Sequence, residues 1–181
     1  ELAKRVTAIN PDCRATACTE IFNDKTSGMI LATGFDFVVD AIDNVANKAL
    51  LIAACRERGI QLITSGAAGG RRDGTRAEVA DLANSTNDPL LSKVRAQLRK
   101  EYGFPRAGKT MGVPCVFSPE TPVYPRKDGT VCASRPKAGE LGGSLRLNFE
   151  WGFGAGTFVT GAFGFAAAGE VVRRRVSGDS A

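Results

Sequence analysis

The sequence predicts an α/β fold, with a mainly parallel sheet and helices on its flanks. Two short runs rich in β-formers, residues 35–42 and 60–64, bracket a helical segment over 45–58. Strand, helix and strand at this spacing form a βαβ unit, whose strands lie parallel. Composition agrees. Of 181 residues, 43 % are hydrophobic and 24 % charged, the balance of a globular chain long enough to bury a core.

Residues 1–10 read as the last turns of a helix, ended by Asn10-Pro11. Residues 14–22 are a candidate strand. The run 35–42 is expected to be a buried strand. Asp43 or Asn44 caps the helix that follows, and Gly59 stops it. Residues 60–64 form the next buried strand and lead into Ser65-Gly66-Ala67-Ala68-Gly69-Gly70. A further strand is expected over 76–82. Asp88-Pro89 opens a second helix, with a capping residue and then proline at the first position. Leu91, Val94 and Leu98 line one face of it, with Lys93, Arg95, Arg99 and Lys100 around the other. Residues 103–150 are loop-rich, with their best strand at 113–118.

The stretch from Trp151 to Gly169 has 19 residues without a charge and is followed by Arg173-Arg174-Arg175. Six glycines and five alanines keep its hydropathy low. A buried core or interface helix is therefore expected over a membrane span. Gly152, Gly156, Thr160, Gly164 and Ala168 recur every four residues, a small-residue ridge that lets another helix approach.

The sequence has no histidine, so this stretch holds no Ser-His-Asp or Cys-His constellation. Acid–base work falls to Asp, Glu, Lys, Tyr or Cys. The five cysteines are Cys13, Cys18, Cys55, Cys115 and Cys132, an odd number without a CxxC pair. Neither a disulfide framework nor a zinc site is expected, and reduced thiols in a cytoplasmic protein fit the pattern. Cys115 reads as a buried, inert thiol and Cys132 as a thiol near a turn. The opening Glu1-Leu2-Ala3-Lys4-Arg5 reads as helix, not as a targeting segment. The chain enters mid-pattern without an initiator methionine, as a piece of a longer protein would.

Three segments have chemical potential. Asp43 follows a strand end, where ligands sit in open parallel sheets. A carboxylate there suits a hydrated Mg²⁺ facing phosphates, and equally suits a helix cap. The glycine-rich turn 65–70 reads as a close-approach loop or a simple turn, and it is not GxGxxG. The third is basic: Lys93, Arg95, Arg99, Lys100, Arg106 and Lys109 face one acid, Glu101, with Tyr102 and Phe104 interleaved. This concentration suits phosphate-backbone contact and stacking on an unpaired base, although a charge run is also the usual solvated face.

Several segments occur in an informative order: Ile9-Asn10-Pro11-Asp12-Cys13, Val39-Asp40-Ala41-Ile42-Asp43-Asn44, Lys48, the turn 64–70, Asp88-Pro89-Leu90, Cys115-Val116-Phe117-Ser118, Asp128-Gly129-Thr130-Val131-Cys132 and Gly152-Phe153-Gly154-Ala155. Together they closely resemble the tRNA threonylcarbamoyladenosine dehydratases of the ThiF/MoeB superfamily, relatives of the ubiquitin-activating enzymes. The resemblance spans nearly the whole chain. It implies a Rossmann-like, ThiF/MoeB-type fold that is incomplete at the N-terminus. In this reading residues 1–87 end the nucleotide-binding half, 88–150 form a basic, tRNA-facing insertion, and 151–176 are the closing helix.

The implied activity is ATP-dependent cyclisation of threonylcarbamoyladenosine beside the tRNA anticodon. The threonine carboxylate is adenylated, and a carbamoyl nucleophile then displaces AMP. The resemblance puts Asp43 at the Mg²⁺-ATP position, with Asn44 and Lys48 near it. It also implies a homodimer, with the small-residue helix near the interface, and no required sulfur-carrier protein. The family's glycine-rich nucleotide loop, acidic ribose contact, arginine finger and phosphate-binding lysine all precede the segment matching Glu1, so this chain alone is expected to be inactive. Residues 147–151 lack the cysteine that some bacterial members carry there. The competing readings are an activator of ubiquitin-like or sulfur-carrier proteins and a non-catalytic RNA-binding remnant.

Overall fold

A computed structural model describes residues 1–126, 128–134 and 153–178. The elements are α1 (Leu2–Ile9), α2 (Ser27–Leu31), β1 (Phe37–Asp40), α3 (Val45–Glu57), β2 (Gln61–Ser65), β3 (Glu78–Asp81), α4 (Pro89–Glu101), β4 (Pro114–Phe117), β5 (Tyr124–Pro125), β6 (Val131–Cys132) and α5 (Thr157–Ser177). Short 3₁₀ turns precede and follow β3.

The main sheet runs β1-β2-β4-β3. Strands β1, β2 and β4 are parallel, and β3 pairs antiparallel with β4. The predicted mainly parallel sheet with flanking helices is therefore present. Successive side chains on a strand point to opposite faces, and β2 and β4 supply both cores in this way. Leu62, Cys115 and Phe117 enter one cluster with residues of α3 and α4, including Ile52, Leu91, Val94 and Leu98. Ile63 and Val116 enter the other with Val159, Phe163 and Ala167 of α5.

The strand expected over 14–22 is not formed. That stretch is irregular and mostly exposed, with Ile21 in solvent. Its β-branched residues find no neighbouring strand among the described residues, and β propensity counts only where a pleated surface is packed.

The small-residue ridge is not the face by which α5 packs within this chain. The buried face of α5 is Val159, Phe163 and Ala167, while Thr160, Gly164 and Ala168 are exposed. Gly152 and residues 147–151 lie outside the described residues. Among the described residues, no helix is long and apolar enough to cross a membrane.

Near its C-terminus α5 is tied by Glu170, which accepts from Arg173 Nε at 2.8 Å and from Arg174 Nε at 2.6 Å. The bonds from Arg173, and then those from Arg174, hold the Glu170 carboxyl down at about 2. A depressed carboxyl stabilises the fold above its unfolded value and loses that contribution as pH falls through the folded one. Hydrogen exchange should show the last turns of α5 losing protection between about pH 4.5 and about pH 2. Glu170→Gln should weaken those turns at neutral pH and flatten the acid response.

Candidate functional site

A cavity of about 420 Å³ opens beyond the carboxyl ends of β1 and β2. Its lining includes Ala41, Ile42 and Asp43 after β1, residues 65–69 after β2, and Thr160, Phe163 and Gly164 of α5. Tyr124 and Phe153 add a stacked pair, with ring centroids 5.2 Å apart and planes at 14°. The small side chains at 160 and 164 therefore shape the cavity wall.

Asp40 fixes the turn that carries Asp43. Its Oδ1 accepts from Ile42 N at 2.9 Å. Its Oδ2 accepts from Lys48 Nζ at 2.7 Å and from Thr64 Oγ1 at 2.6 Å. The strand register explains the reach, because Asp40 is paired with Thr64 across β1 and β2. All three side chains are buried. Lys48 is thus a core residue on the inner face of α3. The expectation that it contacts a nucleotide is corrected: its ammonium is spent on Asp40, and it does not line the cavity. A buried carboxylate needs its counter-charge nearby, which is the physical reason for this placement.

The choice of cap is resolved in favour of Asn44, whose side chain accepts from Asn47 N at 3.1 Å. Asp43 is left exposed on the cavity lining, with no hydrogen bond or ion pair among the described residues. Its carboxylate is free to serve a ligand.

The turn 65–70 owes its glycines to close packing. A Cβ on Gly66 would fall on Asp88 Oδ2 and lie 3.0 Å from Leu91 Cδ1. The same Asp88 carboxylate caps α4 through Leu91 N at 3.0 Å and accepts from Ala67 N at 2.8 Å. One side chain therefore ties the turn to the helix. Gly70 has φ +72°, where a side chain is strained, and a Cβ there would also meet Val123 O.

Arg71 also lines the cavity, and sequence reasoning missed it. It is 4 % exposed, whereas the side chain of its neighbour Arg72 is 64 % exposed. Arg71 Nη2 donates to Asn87 O at 2.7 Å and lies 3.9 Å from Asp88 Oδ2. Burial pulls its guanidinium below the ordinary value, and Asp88, Glu120 and Tyr124 push it back. No local pattern marks one of two adjacent arginines as the buried one.

The basic segment divides in two. Lys93, Lys100, Arg106 and Lys109 are exposed. Arg95 and Arg99 are partly buried and committed to the fold. Arg95 Nη1 donates to Ser85 O at 3.0 Å and also to the Ser85 hydroxyl. Arg99 Nε donates to Pro105 O at 3.1 Å. Phe104 is buried, with Arg56 4.4 Å from its ring centroid, so the expectation that it stacks on a base is corrected. Cys115 is buried as expected, and burial pushes its thiol far up. Cys55 is pushed up to about 11, by burial first and by Asp40 second. Cys132 is partly exposed and donates to Ser134 O at 3.1 Å.

With this geometry in view, comparison with known proteins is decisive for the family. The ThiF family model matches residues 1–173. The chain belongs to the ThiF family. It is 41 % identical over 177 residues to the tRNA threonylcarbamoyladenosine dehydratase of Escherichia coli strain K12, covering 97 % of this chain and 65 % of that protein. The enzyme of the same name from Haemophilus influenzae is 38 % identical over 172 residues, covering 94 % of this chain and 62 % of that protein. The chain thus spans slightly less than two thirds of the length of these ThiF relatives.

Among solved structures, TcdA (CsdL) superposes with a TM-score of 0.83 at 39 % identity, covering 97 % of this chain and 64 % of that one. The E. coli enzyme TcdA in complex with ATP superposes with a TM-score of 0.79 at 36 % identity, covering 97 % and 62 %. The expected ThiF-type fold is confirmed.

Lys48→Met should destabilise the ThiF domain by about 3–5 kcal/mol in urea denaturation, because it strands a buried carboxylate. Adding Asp40→Asn to that variant should recover part of the loss. A change below about 1 kcal/mol in the single variant would place Lys48 outside the structural core.

Proposed function

We infer that this chain is the carboxyl part of an enzyme that dehydrates threonylcarbamoyladenosine in tRNA, beside the anticodon, at the expense of ATP. The observation that carries this reading is the uncommitted Asp43 carboxylate, exposed in a cavity beyond the strand ends of a ThiF-family chain. Its relatives that carry the dehydratase name match nearly the whole of it.

The reaction activates the threonine carboxylate by adenylation, with loss of pyrophosphate. A carbamoyl nucleophile then closes on the acyl carbon and expels AMP, so the nucleoside loses one water overall. Asp43 is the residue that would hold Mg²⁺, since an exposed carboxylate with room for water and phosphate oxygens fits this hard cation. When bound, Mg²⁺ neutralises phosphate charge. Asp40, Lys48 and Thr64 are positioning residues that hold the Asp43 turn. The Asn44 side-chain oxygen caps α3 and so helps to fix the start of the helix directly after Asp43. The apolar lining from Ile42, Tyr124, Phe153 and Phe163 excludes water from an activated carboxylate.

The segment 88–150 is the tRNA-facing part of this reading, with Lys93, Lys100, Arg106 and Lys109 as its phosphate contacts. The outer face of α5 supports a homodimer. Phe158, Phe165, Val172 and Val176 lie exposed at spacings that return to one side of the helix. The setting is cytoplasmic, and no sulfur-carrier protein is required.

Nucleoside mass spectrometry on threonylcarbamoylated tRNA tests the reaction. With ATP and the full-length protein, the nucleoside should lose one water, and Asp43→Ala should slow this by about a hundredfold or more. An unchanged nucleoside with folded protein would overturn the dehydratase reading in favour of a protein-activating enzyme or a binding module. Charge reversal at Lys93 and Lys100 should weaken tRNA binding and lower its salt slope by about 1 for each phosphate no longer neutralised. Unchanged affinity and slope would make this face merely solvated.

A further inference from the structure

The cavity lining carries two charged side chains among the described residues, Asp43 and Arg71. Asp43 is exposed and Arg71 is buried, so the two ends of charge differ in kind. Arg71 has an unusual hydrogen-bond inventory. Its Nη2 is satisfied by Asn87 O, but Nε and Nη1 are buried without a partner among the described residues. A guanidinium offers five N–H donors and cannot accept. Leaving charged donors unpaired in a dry site is costly, and such groups in folded proteins call for an explanation. The single contact to Asn87 O does not supply one, since a neutral glutamine amide could donate the same bond.

The charge around Arg71 points the same way. Asp88 is its nearest acid, at 3.9 Å, but that carboxylate already accepts from Ala67 N and Leu91 N and sits at the N-terminus of α4. Two positive features, the guanidinium and the positive end of a 13-residue helix, thus share one carboxylate. Glu120 is committed to Arg72, accepting from its backbone N at 2.9 Å and from its Nε at 3.1 Å. The Tyr124–Phe153 stack also lines the cavity. It comes from the two-residue strand β5 and the segment leading into α5, which Gly70 joins by accepting from Val123 N at 2.9 Å and donating to Gly154 O at 3.0 Å.

We propose that Arg71 is the oxyanion-binding residue of this cavity, with its Nε–H and Nη1–H groups receiving a ligand carboxylate or phosphate. Arginine is suited to both through charge-assisted hydrogen bonds. The proposal concerns a different group of the same cavity from Asp43 and needs neither nucleotide nor metal, so its test is distinct from that of the reaction inferred above.

The test uses the ¹⁵N-labelled chain at constant ionic strength, free of Mg²⁺ and nucleotide. The Arg71 Nε–H signal is assigned by its loss in Arg71→Gln. Inorganic phosphate and acetate are titrated separately against a chloride control. At least one should move the Arg71 signal saturably, and should bind about tenfold more weakly to Arg71→Gln as read on the amides of residues 66–70. It should also raise the melting temperature of the unmodified chain and not that of the variant. A response to acetate alone marks a carboxylate site, and one to phosphate alone marks a phosphate site. A signal unmoved by both anions in a folded chain, or moved equally by chloride, would overturn the proposal. Asp43→Ala should retain the response, with affinity the same or tighter because a like charge leaves the cavity, and loss of the response in that variant would also overturn the proposal.

Discussion

The buried triad of Asp40, Lys48 and Thr64 is the constraint on which the rest of the molecule turns. The parallel register of β1 and β2 sets Asp40 beside Thr64, and α3 brings Lys48 back over them. Each group is costly to bury alone and is satisfied only when the other two are in place. This one cluster therefore fixes the register of two strands, the rotation of a helix and the path of the turn between them. The exposed carboxylate of Asp43 is a product of that turn. Its position is set three residues earlier, where Asp40 Oδ1 accepts from Ile42 N.

Around that anchor the cavity is built largely by subtraction. Gly66 admits the Asp88 carboxylate, Gly70 turns with positive φ, and Thr160 and Gly164 keep α5 thin where it passes the strand ends. The resulting space is mostly apolar, with a carboxylate exposed on its lining and a guanidinium buried in it. Opposite charges in a low-dielectric setting orient a dipolar or zwitterionic guest far more strongly than they would in water.

What could be read from the sequence alone followed local rules. The βαβ unit, the Asp88-Pro89 helix start and the Leu91, Val94 and Leu98 face depend on periodicity and capping within one element, and all are present. The misreadings all concern residues whose role is set by something outside their own helix, strand or turn. Residues 14–22 have strand-forming side chains but no sheet neighbour. Lys48 looks like an accessible cation until Asp40 is brought against it. Arg95 and Arg99 look like their exposed neighbours until Ser85 and Pro105 supply carbonyls. Arg71 sits directly beside a surface arginine. In each case the deciding partner lies outside the helix or turn that the pattern describes. The small residues of α5 were legible as a feature, but their use in a cavity wall depends on where the strands end.

The order of strands in the sheet has a consequence for how the chain is made. The central position beside β2 is filled by β4, which is the last of the four in sequence and also the only described partner of β3. As the chain emerges from the ribosome, β1, α3 and β2 can assemble early, but β2 keeps a bare edge until residues 114–117 arrive. All of α4 must be synthesised in that interval. Unpaired strand edges of this sort are sticky, and pairing between distant segments is slow. The nascent polypeptide thus passes through a stage in which a strand carrying the core residues Leu62 and Ile63 is open to neighbours. The late arrival of Cys115 and Val116 at that edge closes the stage.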